Sequence, residues 1–167
     1  MRIPKMHEVS TINTSNTKLS STHKETKQFS TFYLENRLYG IEVGRVQEVV
    51  RAMTMTSIPL APEYVRGLIN LRGQVATAIG LRQLFRFLDS MPEEFINIVC
   101  KVEGMLISFQ VDEIGDVIEV SEDDFEQTPQ TISDDIRSFM LGVYKIPNSL
   151  LSVINVDNII KYLNAKE

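Results

Sequence analysis

The sequence predicts an all-β protein with short helices, and three observations carry that prediction. Short runs rich in Val, Ile, Phe and Tyr recur along the chain, separated by Gly, Pro and Asn turn signals. A helical period emerges only near Leu81 and again after Asn155. At 167 residues and 43% hydrophobic content, the chain is of single-domain size and can bury a substantial core. Many short strands at regular spacing are the pattern of small barrels or sandwiches.

Composition removes several function classes. No apolar run is long enough for a transmembrane helix. The basic segment Met1–Glu8 leads into no apolar stretch, so no signal peptide is expected. Cys100 stands alone, which excludes an internal disulfide and a cysteine-rich zinc site, and the cytoplasm is the expected compartment. Residues 1–27 hold five Lys/Arg and two Glu, while the rest holds 12 Lys/Arg against 20 Asp/Glu. An acidic body is a poor partner for phosphate backbones, and the thinly charged tail adds little to that.

The elements follow in order. Residues 1–28 are rich in Ser, Thr, Asn and Lys without a sustained period, and a flexible tail is expected there, leaving 29–167 as the folded domain. His7 and His23 lie in this tail and are read as solvated side chains. Phe29–Leu34 and Leu38–Val43 predict a hairpin with Glu35-Asn36-Arg37 as its loop. After Gly44, Val46–Val50 is a further strand candidate. Residues 51–59 predict a loop, with Met53 and Met55 read as gap fillers in preference to a soft binding patch. Pro62 suits the first position of a short helical turn through Val65, ended by Gly67.

Gly67 and Gly73 then bracket an apolar strand, Leu68–Arg72, in which Asn70 and Arg72 share a face with Leu68. Val75–Ile79 leads into a helical pattern at Leu81, Leu84, Phe85 and Leu88, followed by a polar turn, Asp89–Glu94. Phe95–Val102 and Leu106–Val111 predict a second hairpin, and the segment around Gly115 a strand or two. Cys100 sits inside the first of these strands and reads as a small buried hydrophobe. The acidic run Ser121–Glu126 lacks the ligand spacing of a calcium loop, and Ser121 is expected to cap a short helical turn. Thr128–Asp135 is a polar connection. Strands at Phe139–Lys145 and Leu150–Ile154, turned by Pro147-Asn148-Ser149, precede a closing helix capped by Asn155.

The stretch Tyr64-Val65-Arg66-Gly67-Leu68-Ile69-Asn70-Leu71-Arg72-Gly73, followed by Leu81-Arg82, resembles the signature of the CheW family, adaptor proteins of bacterial chemotaxis. Any β-protein can carry an apolar strand between glycines, so the flanks matter. Tyr39-Gly40-Ile41 with Val46-Gln47-Glu48-Val49 is similar to the same family, as are Val111-Asp112 with Asp116-Val117 and the segment Leu151–Leu163.

Catalytic chemistry has little support. The predicted folded body holds no histidine, so Ser-His-Asp and Cys-His arrangements are unavailable to it. No Walker loop or Gly-x-Gly-x-x-Gly run occurs, and no cofactor or metal site is expected.

The resemblance implies two packed SH3-like five-stranded β-barrels and a non-catalytic role. It further implies coupling of the histidine kinase CheA to the cytoplasmic tip of methyl-accepting chemotaxis receptors, in arrays at the inner face of the membrane. The receptor tip is a helical hairpin, and a groove between barrels can take its apolar stripe. By the same resemblance Arg72 lies at the receptor-binding region with Glu48 near it, joined by Asn70 and Val46. Arg72 could pair with Glu48 and present a rigid fork toward the receptor. Ile41 and Val49 are candidate contacts for the kinase or members of the core. Thr77 stands where the family commonly has proline, and Gly80 where it usually has an acid. A CheW-like scaffold in another phosphorelay, and an enzyme or nucleic-acid-binding barrel, are the competing readings.

Overall fold

The computed structural model describes residues 24–87 and 91–166. The expected tail through Thr22, with His7 and His23, lies outside the described residues, as do Leu88 of the helical pattern and Asp89-Ser90 of the polar turn. Eleven strands among the described residues form two sheets. The first runs in the order β8 (Glu113–Ser121), β1 (Thr26–Leu34), β2 (Arg37–Glu42), β11 (Ser149–Ile154), β10 (Met140–Ile146), β9 (Phe125–Glu126). The second runs β3 (Val46–Val50), β6 (Ile96–Val102), β7 (Met105–Val111), β5 (Gln74–Gly80), β4 (Val65–Leu71). The middle of the chain thus builds one sheet and its two ends build the other.

The all-β prediction holds, while strand number differs from two sets of five: the second sheet has five strands and the first has six. The sixth is the two-residue β9, too short to leave a period in sequence.

Turn chemistry sets the strand limits. Glu35 and Asn36 both adopt positive φ, 49° and 62°, and Arg37 pairs with Leu34. The loop is therefore two residues, not the three expected, because two left-handed residues match the twist of the flanking strands. Glu103-Gly104 makes the same turn between β6 and β7. So does Arg72-Gly73, at φ 52° and 86°, which places Arg72 in the turn and not on the strand. Ser149 pairs with Ile146, so Pro147-Asn148 alone turns β10 into β11.

The helical turn expected through Val65 is replaced by a single β-turn, Val65 N donating to Pro62 O at 2.9 Å, after which β4 begins. Gly67 lies inside that strand at a register shift, not at its edge. β1 begins at Thr26, three residues before the expected Phe29, because Thr26, Lys27 and Gln28 pair with β8.

Helices are few. α1 (Leu81–Leu84) is one turn. α2 (Asp134–Arg137) begins at the end of the segment read as a polar connection and runs two residues past it; four residues are too few to show a period. α3 (Val156–Ala165) is capped as expected, the Asn155 Oδ1 accepting from Asn158 N at 3.0 Å. Ser121 also caps, its Oγ accepting from Asp123 N at 3.3 Å ahead of the 3₁₀ turn Glu122–Asp124. Local capping therefore accounts for the acidic run.

The main core lies between the two sheets, with Phe32, Ile41, Ile79, Phe85, Ile98, Phe109 and Ile159 at its centre. Smaller clusters line each sheet: Ile69, Ala76, Val99 and Leu106 in the second, Phe29, Val120, Leu151 and Val153 in the first.

Cys100 is fully buried in the main core, and burial pushes its thiol up to about 12. Native protein at pH 8 is expected to resist alkylation by iodoacetamide and to react stoichiometrically once unfolded. The raised value also means that this group favours the fold below its ordinary value near 9 and loses that contribution as pH climbs toward about 12. Stoichiometric labelling of the native protein, followed by mass spectrometry, would overturn the buried assignment.

Candidate functional site

Of the residues singled out in sequence, Val46, Glu48, Val49, Asn70 and Arg72 lie on or beside the second sheet, and Ile41 lies on β2 of the first. In the β4–β5 turn, Asn70 Oδ1 accepts from Gly73 N at 2.9 Å. Asn70 thus fastens the turn that presents Arg72, as short polar side chains do in such turns. Arg72 is 85% exposed and its Nη2 donates to Glu48 Oε2 at 3.2 Å. Glu48, on β3, is more protected at 21%.

This contact is informative because β3 and β4 stand at opposite ends of the strand order. Their approach shows that the sheet rolls until its two edges face each other. A backbone bridge between Thr56 and Leu68 holds the same seam. The recorded ladders do not join β3 to β4, so side chains and one bridge make the junction among the described residues.

As a stabilising interaction the Arg72–Glu48 pair is worth little, on the order of 1 kcal/mol or less for so exposed a pair. Its single hydrogen bond leaves most of a planar cation turned to solvent, anchored at one corner and able to meet a carboxylate or carbonyl.

The apolar candidates divide. Val46 is half-buried against the main core, whereas Val49 is 42% exposed and leaves β3 on the opposite face from Glu48. Ile41 is fully buried in the main core. No group of His, Cys, Asp and Glu suited to a metal ion occurs among the described residues.

Sequence reasoning missed a second constellation. Arg82, 6% exposed, donates from Nε and Nη2 to the two carboxylate oxygens of Asp112, both at 2.7 Å. Asp112 Oδ2 also accepts from Glu35 N at 2.9 Å, and Glu35 Oε1 lies 3.9 Å from Arg82 Nη1. The Asp112 hydrogen bonds raise the Arg82 pKa above its ordinary value. This group ties α1, the β7–β8 junction and the β1–β2 turn, and so fastens one sheet to the other. Arg82 and Asp112 both fall in segments that resemble the family, but nothing in their spacing says that they meet.

Two further positions concern the neighbouring surface. Thr77, with Tyr64, Met105 and Leu163, lines an apolar groove of about 300 Å³ between the second sheet and α3. A larger cavity of about 700 Å³ opens on the first sheet among Tyr33, Tyr39, Phe87, Ile136 and Leu150. At Gly80, a Cβ would lie 1.9 Å from Gln83 Oε1 and 3.0 Å from Arg66 Cδ. The space an acidic side chain would need is filled by this chain's own Gln83 and Arg66.

A protein-family model described as the CheW-like domain matches residues 28–164. The chain belongs to the CheW-like family. It is 32% identical over 145 residues to the chemotaxis protein CheW of Treponema pallidum, covering 84% of each chain. It is 27% identical over 140 residues to the chemotaxis protein CheW of Helicobacter pylori, covering 83% of this chain and 84% of that one. In structure it is similar to the scaffolding protein TtCheW from Thermoanaerobacter tengcongensis, with a TM-score of 0.71 and 29% identity over 81% of this chain and 88% of that one. The chain is accordingly a chemotaxis coupling adaptor of a non-catalytic scaffold family. Among the described residues no helix is long and apolar enough to cross a membrane.

Proposed function

We propose that this CheW-like adaptor couples the histidine kinase CheA to the cytoplasmic tips of methyl-accepting chemotaxis receptors, at the inner face of the membrane. The receptor docks along the seam of the second sheet. The observation that carries this reading is the Arg72–Glu48 contact across that seam, with Arg72 held on a tight turn and 85% exposed. An exposed guanidinium anchored at one corner suits the polar register residue of a docking helix. Arg72 supplies the polar anchor, Glu48 orients it, Asn70 shapes the turn beneath it, and Val46 stiffens the strand that carries Glu48. Val49, exposed on the other face of β3, is free to meet the kinase. Co-sedimentation of the purified protein with receptor signalling fragments and CheA tests the reading. Both partners are expected to pellet with it as a ternary assembly. Protein that stays in the supernatant with both partners present would overturn the proposal.

A further inference from the structure

The seam between β3 and β4 is crossed by the first half of the segment joining those two strands, residues 51–57 of 51–64, which lies as a strap over one end of the second sheet. Its fastenings differ in strength. On the core side, Asn97 Nδ2 reaches Arg51 O at 3.4 Å, the long limit of a hydrogen bond. Gln110 Nε2 donates to the sulfur of Met55, a weak acceptor, while Gln110 Oε1 is buried with no partner. Neither hydrogen bond is strong, and apolar packing of the half-buried Met53 against the Ile69–Leu106 cluster is the remaining hold on that side.

The strong fastening is on β4. Thr56 N donates to Leu68 O at 2.9 Å, and Leu68 N donates to Thr56 O at 2.8 Å. This reciprocal pair sits directly over Gly67, whose φ of 148° is one that side-chain-bearing residues rarely adopt. A Cβ at Gly67 would stand 2.6 Å from Thr56 O, a backbone atom that cannot swing aside as a side chain can. The glycine is what allows the strap to seat on the strand. The strap in turn starts at Arg51, three residues after Glu48, and grips β4 four residues before Arg72.

We propose that Gly67 is a positioning residue: by letting Thr56 seat on β4, it sets the gap between the two edges of the second sheet and so the placement of Glu48 against Arg72. This rests on the reading of that pair as the receptor-docking site. A side chain at 67 lifts the strap, widens the seam and separates the pair without touching either residue. Asn70 and the β4–β5 turn stay as they are, so the loss is one of geometry between two intact edges.

The test uses the full chain carrying Gln47→Cys on β3 and Gln74→Cys at the start of β5, just past the turn that closes β4, two exposed positions on either side of the seam, each spin-labelled. Gly67→Ala is expected to lengthen or broaden the label-to-label distance distribution measured by pulsed electron spin resonance. It is also expected to weaken binding of a receptor signalling fragment about tenfold. The double variant Gly67→Ala with Arg72→Ala is expected to bind no more weakly than Arg72→Ala alone, since both act through the same contact. Should Gly67→Ala fail to fold, Thr56→Gly loosens the same bridge without adding a side chain, and the same broadening is expected. An unchanged distance distribution in a folded variant, or losses that add, would overturn the positioning role. If Arg72→Ala alone binds the fragment like the wild type, the docking reading fails instead, and the label distances still decide whether Gly67 sets the seam.

Discussion

Asp112→Leu is expected to destabilise the protein by about 3 kcal/mol, because it removes the carboxylate that accepts from Nε and Nη2 of the buried Arg82 and leaves the more distant Glu35 carboxylate at 3.9 Å to offset that charge. The same substitution removes the acceptor for Glu35 N, so the β1–β2 turn loses its tie to the second sheet. In a chain of this size, each kcal/mol moves the midpoint by roughly 2–4 °C, so thermal unfolding should shift down by on the order of 10 °C. Removing both charges is a different matter. Asp112→Leu with Arg82→Met removes the buried cation together with its main carboxylate, and an apolar pair of similar volume is expected to recover most of the lost stability. Urea unfolding of the wild type and the two variants gives the comparison. If Asp112→Leu unfolds within about 1 kcal/mol of the wild type, the clamp between sheets is not what holds them.

Arg72→Glu is expected to have the opposite profile, with little effect on stability and a large one on receptor binding. The wild-type pair is exposed, so its loss costs on the order of 1 kcal/mol or less in unfolding experiments. Reversal places two carboxylates, at 48 and 72, across the seam and turns the docking anchor negative. A drop of tenfold or more in affinity for a receptor fragment is expected, about 1.4 kcal/mol or more. Arg72→Lys keeps the charge but not the planar fork, and should fall between the two. Isothermal titration with the fragment checks both. Wild-type affinity in folded Arg72→Glu would remove Arg72 from the site, whatever its place in the family motif.

Strand positions and caps were legible because they are local. Alternation placed the strands, Asn155 and Ser121 announced their caps, and the burial of Cys100 followed from its apolar neighbours. The turns were read less well, since Glu35-Asn36 and Arg72-Gly73 lack the common Asn-Gly signature although both adopt its geometry. That misreading put Arg72 on a strand face, whereas its position in a turn is what frees its guanidinium. Gly67 drew notice as a glycine near a strand edge, but the atom that requires it, Thr56 O, comes from a loop with no pattern of its own.

The sequence by itself determined the all-β class, the caps, and, through a long motif, the resemblance to an adaptor family. Each of these depends on residues close in the chain or on composition. Only the tertiary structure decided that β3 and β4 meet as the edges of one rolled sheet, that Glu48 therefore reaches Arg72, and that Arg82 and Asp112 bind one sheet to the other. Such contacts depend on how sheets roll and pack, and side-chain period along a strand carries the face a residue takes but not the strand it will oppose.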